Sequence, residues 1–381
     1  MPHSLNLNID YCGLCSGSCS ICALSENERA YEAPFLSAAQ MREAVRAAAK
    51  ETGERVGHLV VGFGRGNTLA LPPESIRDIV ETLAEAQDAF SFDSAETEIS
   101  TSLMGKHETH RDRAFAILDA IEAEKLRFDP RFVCVGNLAI VSEAYWKRIL
   151  AFLDAMTERR GGGDGSGDVL LLNLPLGRLP PIEMIETFLG RLRSPVNVTW
   201  SPAYDDDAKN PAALAALETW LDEYHALAER LGMDSSLQTR AELAMRAGAA
   251  EEDEIGLQTE TNASTVLFVD SKGKLHGGYS SVIADLDPIR FPTAAAGKRA
   301  GGSAMMSTPK EERATLLRHR ACRACGYMPQ CIRSGAHKAA LMLVSSLSDA
   351  PNACPSGMRR LFARLKAEED FHPAKNSGEK A

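Results

Sequence analysis

No run of apolar residues in the chain approaches the ~18–20 needed to cross a bilayer. The first residues, Met1-Pro2-His3-Ser4-Leu5, carry neither a basic n-region nor an apolar h-region, so they do not read as a secretory signal. Long basic stretches are also missing, and the net charge is -10. Neutralising phosphate needs clustered Lys and Arg, so nucleic acid is not expected as the main partner. No internal repeat is visible. Together these absences predict a cytoplasmic protein with no membrane association. Disulfides do not persist in that compartment, so cysteines that occur in groups point to metal or redox work.

What is present is ample material for a core. The 381 residues, 44% apolar and 25% charged, suit one large domain and a smaller one. "LNLNID" (5–10) alternates and predicts a strand. Helix 37–50, strand 57–63, helix 73–89, strand 97–103, helix 110–124, strand 131–138 and helix 142–157 follow. After the glycine-rich loop "RRGGGDGSGD" come strand 169–174, helix 181–192, strand 196–201 and helix 210–231. Six βα units of this kind predict an α/β fold with a parallel sheet, as an open sheet or a partial barrel. Its ligand site belongs at the C-terminal ends of the strands. Residues 248–263 read as an acidic linker, 265–279 as a hairpin turning at 271–274, 296–313 as a loop and 334–347 as a further helix.

Four of the nine cysteines fall within the eleven residues Cys12–Cys22, just beyond the first strand. In "CGLCSGSCSIC", Cys15, Cys19 and Cys22 have the spacing C-x3-C-x2-C. Three thiolates on a compact loop can hold three corners of a [4Fe–4S] cube and leave the fourth iron open to a chelating ligand. The competing reading is a zinc site built from Cys12, Cys15, Cys19 and Cys22. Cys12 stands outside the x3/x2 spacing, either as a small buried core residue or as a thiol facing substrate.

This spacing, and its place after the first strand, resemble the radical S-adenosylmethionine (radical SAM) superfamily. The resemblance covers about residues 4–231 and implies a partial (β/α)6 barrel. It implies that Cys15, Cys19 and Cys22 ligate a [4Fe–4S] cluster whose open iron binds the amino and carboxylate groups of SAM. Reduction then yields a 5'-deoxyadenosyl radical that abstracts a hydrogen atom. Ile21 stands where the family usually has an aromatic residue near the adenine. The family's Gly-Gly-Glu-Pro stretch, which contacts the methionine amino group, corresponds here to Gly64, Arg65, Gly66 and Asn67. The glutamate is missing, and Asn67 or a backbone carbonyl is the expected substitute. Glycines at 64 and 66 let backbone approach a ligand closely. Ser102, Asn137 and Asn173 close strands and suit ribose or carboxylate contacts, or caps for the helices that follow. Trp200 reads as core or as an adenine wall, and Cys134 as a core thiol.

A second group, Cys322-x2-Cys325-x5-Cys331 followed by Cys354, fits a zinc ribbon on spacing alone. It also resembles the C-terminal SPASM/twitch extension of radical SAM enzymes, in which such a set closes an auxiliary [4Fe–4S] cube. The end of that module is echoed in "ACPSGMRRLF". Gly277 and Gly335 occupy positions where the full module has ligands for another cluster. The resemblance therefore implies two [4Fe–4S] clusters, with a barrel over 1–231, a linker over 232–264 and a small auxiliary-cluster domain over 265–381. It implies an oxidoreductase or maturase that modifies a ribosomal peptide or natural product. The alternatives are a dehydrogenase or epimerase of a small sugar or amino acid, and a non-enzymatic zinc or iron–sulfur protein. Expected partners are a reductant such as flavodoxin or ferredoxin and, with only fourteen residues ahead of Cys15, a separate peptide-recognition protein.

Overall fold

The computed structural model describes residues 4–15, 27, 30–103, 107–137, 142–161, 168–175, 179–192, 197–203, 211–233, 241–242, 244–245, 265–277, 316–334, 354 and 356–371. Strands and helices alternate as the sequence predicts. They run β1 (Ser4–Cys12), α1 (Ala38–Thr52), β2 (Arg55–Arg65), α2 (Ser75–Ala89), β3 (Ser91–Thr101), α3 (His107–Ala123) and β4 (Asp129–Asn137). α4 (Glu143–Arg159), β5 (Val169–Pro175), α5 (Ile182–Leu189), β6 (Asn197–Ala203), α6 (Pro211–Arg230), β7 (Thr265–Val269) and β8 (Leu275–Gly277) follow.

Among the described residues, eight strands form one sheet in the order β6-β5-β4-β3-β2-β1-β7-β8. β1 pairs in parallel with both β2 and β7, and the parallel pairing continues from β2 through β3 and β4 to β5. β8 runs antiparallel to β7 as the second arm of a hairpin. Consecutive strands lie side by side, so every strand from β1 to β5 delivers its C-terminal end to the same edge of the sheet.

The two faces of the sheet differ in chemistry because side chains alternate along a strand. One face carries Leu5, Leu7, Ile9 and Tyr11 from β1, with Leu59, Val61 and Phe63 from β2, all buried. Ile99 and Phe132 continue it across β3 and β4. Helices cover this face. The Tyr11 hydroxyl reaches Ser75 O and Asp78 Oδ2 at the start of α2, both at 3.3 Å. Phe132 meets Phe152 of α4 edge to face at 5.8 Å. α1 begins where Ser37 and Gln40 form a reciprocal capping box, and it ends at Gly53 with a φ of 89°. The other face is polar, with Asn6, Asn8, Glu96, Glu98 and Arg131 among its residues. A polar face on a parallel strand is a departure from the usual two-sided apolar burial, and it marks where a ligand can sit.

The chain divides into two compact units: residues 1–173, 191–200 and 260–308 in the first, and residues 174–190, 201–259 and 309–381 in the second. The hairpin of β7 and β8 extends the first unit's sheet, because "TVLFV" pairs with β1 from Leu5↔Thr265 to Ile9↔Val269 and covers what would be an open edge. α5 and α6 join the second cysteine group in the second unit. The expected linker 248–263, the loop 296–313 and residues 335–347 of the expected helix lie outside the described residues.

Candidate functional site

In the first unit the cysteine-bearing loop leaves β1 at Cys12, whose thiol is buried. Burial pushes this thiol up to about 12, opposed by the Thr68 hydroxyl and the backbone N–H groups of Leu14 and Gly66. The Thr68 oxygen lies 3.8 Å from Cys12 Sγ. Cys12 is thus enclosed by backbone and held as a neutral thiol. Beyond it, Cys15 is half-buried, and its Sγ lies 3.7 Å from Ser102 Oγ just past the end of β3. Cys19, Cys22 and Ile21 lie outside the described residues.

The stretch after β2 acts on that loop. A Cβ on Gly66 would stand 2.7 Å from Cys12 O, 2.7 Å from Gly13 C and 2.9 Å from Leu14 N. Only glycine allows this backbone-to-backbone approach. The next residue, Asn67, donates its N–H to Leu14 O at 2.6 Å. The Asn67 side chain is 1% exposed. Its Oδ1 accepts from Thr101 Oγ1 at 2.7 Å, and its Nδ2 meets His110 Nε2 at 3.2 Å. Asn67 therefore ties the β1 loop, the end of β2, the end of β3 and the start of α3 into one knot. Its amide is engaged by Thr101 and His110 within the fold. Thr101 and His110 complete the knot and were missed in the sequence, because nothing local pairs a strand-end threonine with a histidine on the following helix.

Leu103 follows Ser102 with a φ of 49°, and its N–H bonds Thr101 Oγ1 at 3.2 Å. A buried leucine in the left-handed region costs of order 1 kcal/mol or more and persists only where its surroundings fix it. At β4, the Asn137 N–H donates to the Tyr145 hydroxyl at 3.0 Å, and that hydroxyl donates to Val135 O at 3.2 Å. Asn173 lies in β5 and pairs with Asn137 in the sheet, but its side chain, like that of Trp200 in β6, lies outside the described residues. Cys134 is buried in the helix-covered face of β4, and burial pushes its thiol well up.

Under this rim the polar face encloses a cavity of about 600 Å³, counting its open mouth. Asn8, Asp10, Glu98, Ser100 and Phe268 line it, over Gly62 and Gly64. A Cβ at Gly62 would stand 2.7 Å from Asn8 Oδ1, and one at Gly64 2.9 Å from Ser100 Oγ. The glycines leave room for those polar groups. Burial raises the Glu98 carboxyl above the usual carboxylate range, Glu96 raises it further, and Arg131 opposes both. Arg131 itself pairs with Glu96. Asp10 and Glu98 were not singled out in the sequence, although the period-2 run Glu96, Glu98, Ser100, Ser102 carries the signal.

The second unit gathers its cysteines on α7 (Arg320–Arg323), α8 (Met328–Arg333) and the turn before α9 (Arg359–Phe371). Cys322, Cys325, Cys331 and Cys354 all line one cavity of about 430 Å³, counting its space open to solvent, together with Ser356 and Arg359. Burial pushes the Cys322 thiol up to about 12, and the neighbouring Cys354 and Cys325 add to it. Burial likewise raises Cys331, with contributions from Cys354, Cys322 and Cys325. Among the described residues, no three Cys, His, Asp or Glu side chains converge as ligands of one metal ion. Four thiols lining one cavity are soft donors of the kind that hold zinc or an iron–sulfur group. Arg359 crosses to the buried Glu218 of α6, with Nε and Nη2 at 3.1 and 3.0 Å from its two oxygens. Gly335 lies outside the described residues, and Gly277 closes β8 in the sheet.

No family model matches the sequence, and no curated protein matches it. Coproporphyrinogen III oxidase (HemN) from Escherichia coli, a radical SAM enzyme, matches over 56% of this chain and 46% of that one at 19% identity with a TM-score of 0.34. Native anSMEcpe with bound AdoMet matches at 12% identity with a TM-score of 0.54, over 96% of this chain and 99% of that one. A histidine-tagged anSMEcpe with bound AdoMet gives a TM-score of 0.56 at 12% identity, over 96% and 98%. The likeness is one of fold: this chain folds as anSMEcpe does, with the Cys15 loop at the C-terminal edge of its parallel sheet.

Proposed function

We propose that the chain is a radical SAM enzyme with one auxiliary iron–sulfur cluster. The observation that carries this reading is the knot at Gly66 and Asn67. It fixes the loop leading into C-x3-C-x2-C at the end of the first parallel strand, where an α/β fold binds its ligand. The sequential order of β1 to β6 suits a partial (β/α)6 barrel, and anSMEcpe, which shares the fold, was solved with AdoMet.

In this reading Cys15, Cys19 and Cys22 hold a [4Fe–4S] cluster, and Gly64, Gly66, Ser102, Asn137 and Asn173 border the SAM site on successive strand ends. When bound and reduced, the cluster supplies the electron that cleaves SAM to a 5'-deoxyadenosyl radical. The chain's own residues do the rest. Asn67, Thr101 and His110 position the loop. Cys12 stays a buried neutral thiol and takes no part in ligation. Glu98, with its raised carboxyl, holds a proton near neutrality better than an exposed glutamate does and can exchange it inside the cavity. Cys322, Cys325, Cys331 and Cys354 hold a closed auxiliary cube of the SPASM/twitch kind. With four protein ligands it serves electron transfer or support. The substrate class we favour is a ribosomal peptide or natural product, delivered with a separate recognition protein and reduced through a flavodoxin or ferredoxin.

The test is metal and sulfide analysis of anaerobically purified protein. Two cubes predict about eight irons and eight sulfides per chain. Zinc in place of iron would overturn the reading, and about twelve irons would overturn the claim of a single auxiliary cluster.

A further inference from the structure

The turn that carries Cys354 also carries a buried hydroxyl beside two of the sulfurs. Ser356 is 3% exposed, and its Oγ lies 3.3 Å from Cys354 Sγ and 3.7 Å from Cys331 Sγ. The same oxygen accepts the Met358 N–H at 3.4 Å. Between thiols the bonds can run either way, with Cys331 Sγ donating to this oxygen, but a ligating thiolate has no proton, so toward thiolate sulfurs only the Ser356 hydroxyl can donate. Backbone contacts hold the residues on either side of it. Gly357 N–H bonds Cys354 O at 3.1 Å, and Gly357 sits at a φ of 68°. A Cβ there would stand 2.5 Å from Leu221 Cδ1, so the turn is packed directly onto α6.

We propose that Ser356 is a positioning residue that sets the reduction potential of the group held by Cys322, Cys325, Cys331 and Cys354. This rests on reading those four as cluster ligands. A hydrogen bond to a ligating thiolate sulfur draws charge from it and favours the reduced, more negative cluster, so the bond raises the potential. Cys354 is the main recipient, because its sulfur is the nearer of the two. Among the described lining residues, Leu316, Met328 and Phe362 bring no side-chain donor, and the Tyr327 ring stacks on Phe362 at 6.1 Å. The Arg359 guanidinium holds Glu218 through Nε and Nη2 and also acts electrostatically on Cys354 and Cys325, a contribution that both Ser356 variants keep. The Tyr327 backbone N–H is directed to Cys325. Loss of Ser356 therefore removes the hydroxyl donor to Cys354 while every ligand stays in place.

The experiment uses the full chain with Cys15, Cys19 and Cys22 changed to Ala, so that one cluster reports. Its midpoint potential is measured by dithionite titration followed by electron paramagnetic resonance, alone and with Ser356→Ala or Ser356→Thr added. Ser356→Ala should keep about four irons and move the midpoint to a more negative value. A tenfold weakening of one-electron reduction corresponds to about 59 mV. Ser356→Thr, which keeps the hydroxyl, should return the midpoint toward the parent. An unmoved midpoint in Ser356→Ala overturns the inference, as does an equal shift in Ser356→Thr, which would trace the change to packing. Loss of the cluster in both variants would also overturn it, by showing that Ser356 is needed for assembly. A parent protein without iron would instead remove the cluster reading itself.

Discussion

Replacing Gly66 with Ala adds a single methyl group, yet the structure predicts a large effect. The new Cβ would meet Cys12 O, Gly13 C and Leu14 N at 2.7, 2.7 and 2.9 Å. All three are backbone atoms, so no side chain can rotate away. Either the cysteine loop or the end of β2 must move by several tenths of an ångström. Overpacking of this kind costs about 1–3 kcal/mol. The movement also strains the 2.6 Å bond from Asn67 N–H to Leu14 O, and losing a buried hydrogen bond adds about 1 kcal/mol. The sum is about 2–4 kcal/mol. Gly64→Ala is the internal control, because its Cβ would meet Ser100 Oγ at 2.9 Å, the end of a side chain that can change rotamer. It should cost less than about 1 kcal/mol. Urea unfolding followed by circular dichroism measures both costs, and iron content of the folded proteins measures the effect on the loop. Gly66→Ala should lose iron selectively from the Cys15 site. Equal stability of Gly66→Ala and parent would refute the reasoning, as would an equal loss in Gly64→Ala.

Glu98→Gln tests the polar cavity through pH. The folded carboxyl lies above its unfolded value, so its favourable contribution is fully present below the unfolded pKa and is lost as pH rises through the folded one. The glutamine variant should be more stable than the parent at pH 7, with the gain vanishing on acidification toward the ordinary carboxylate range; a pH-independent difference in urea midpoints would contradict this. Arg359→Ala strands the buried Glu218, and because Arg359 is itself 37% exposed the cost should be about 1–3 kcal/mol, below that of a fully buried pair. Changing Glu218 to Met alongside Arg359→Met should recover most of the loss, and a double variant as weak as Arg359→Ala would argue against it. Cys12→Ala should keep the parent's iron content and only loosen packing around Thr68, whereas loss of iron from the first site would make Cys12 a ligand.

The alternation of strands and helices was legible because each strand carries one apolar face and each helix an apolar stripe. β1 through α6 sit within a few residues of their expected bounds. β3 shows the limit. It begins at Ser91, six residues before the expected start, because "SFDSAE" lacks an apolar run and is recruited by pairing with β2 from Arg55↔Ser91 onward. The partnership of β7 with β1 was not legible either, since a hairpin sequence does not say which edge it will cover. At the site, chemistry-bearing spacings such as C-x2-C-x5-C were readable as one unit, and the structure brings Cys322, Cys325, Cys331 and Cys354 to one cavity. The role of Asn67 was not readable. Its partners Thr101 and His110 are 34 and 43 residues away, so only the fold shows that its amide is engaged. Ser356 was hidden for a related reason, because a serine two residues after a cysteine is ordinary until its hydroxyl is seen between two sulfurs.

The central claim is SAM cleavage at the Cys15 loop, and the direct measurement is 5'-deoxyadenosine formed when anaerobic, dithionite-reduced protein is mixed with SAM. The account predicts that the parent and Cys12→Ala form it. Cys15→Ala, Cys19→Ala and Cys22→Ala should each form none while remaining folded by circular dichroism. Normal 5'-deoxyadenosine formation in any of those three variants, or none in an iron-replete parent, would contradict it.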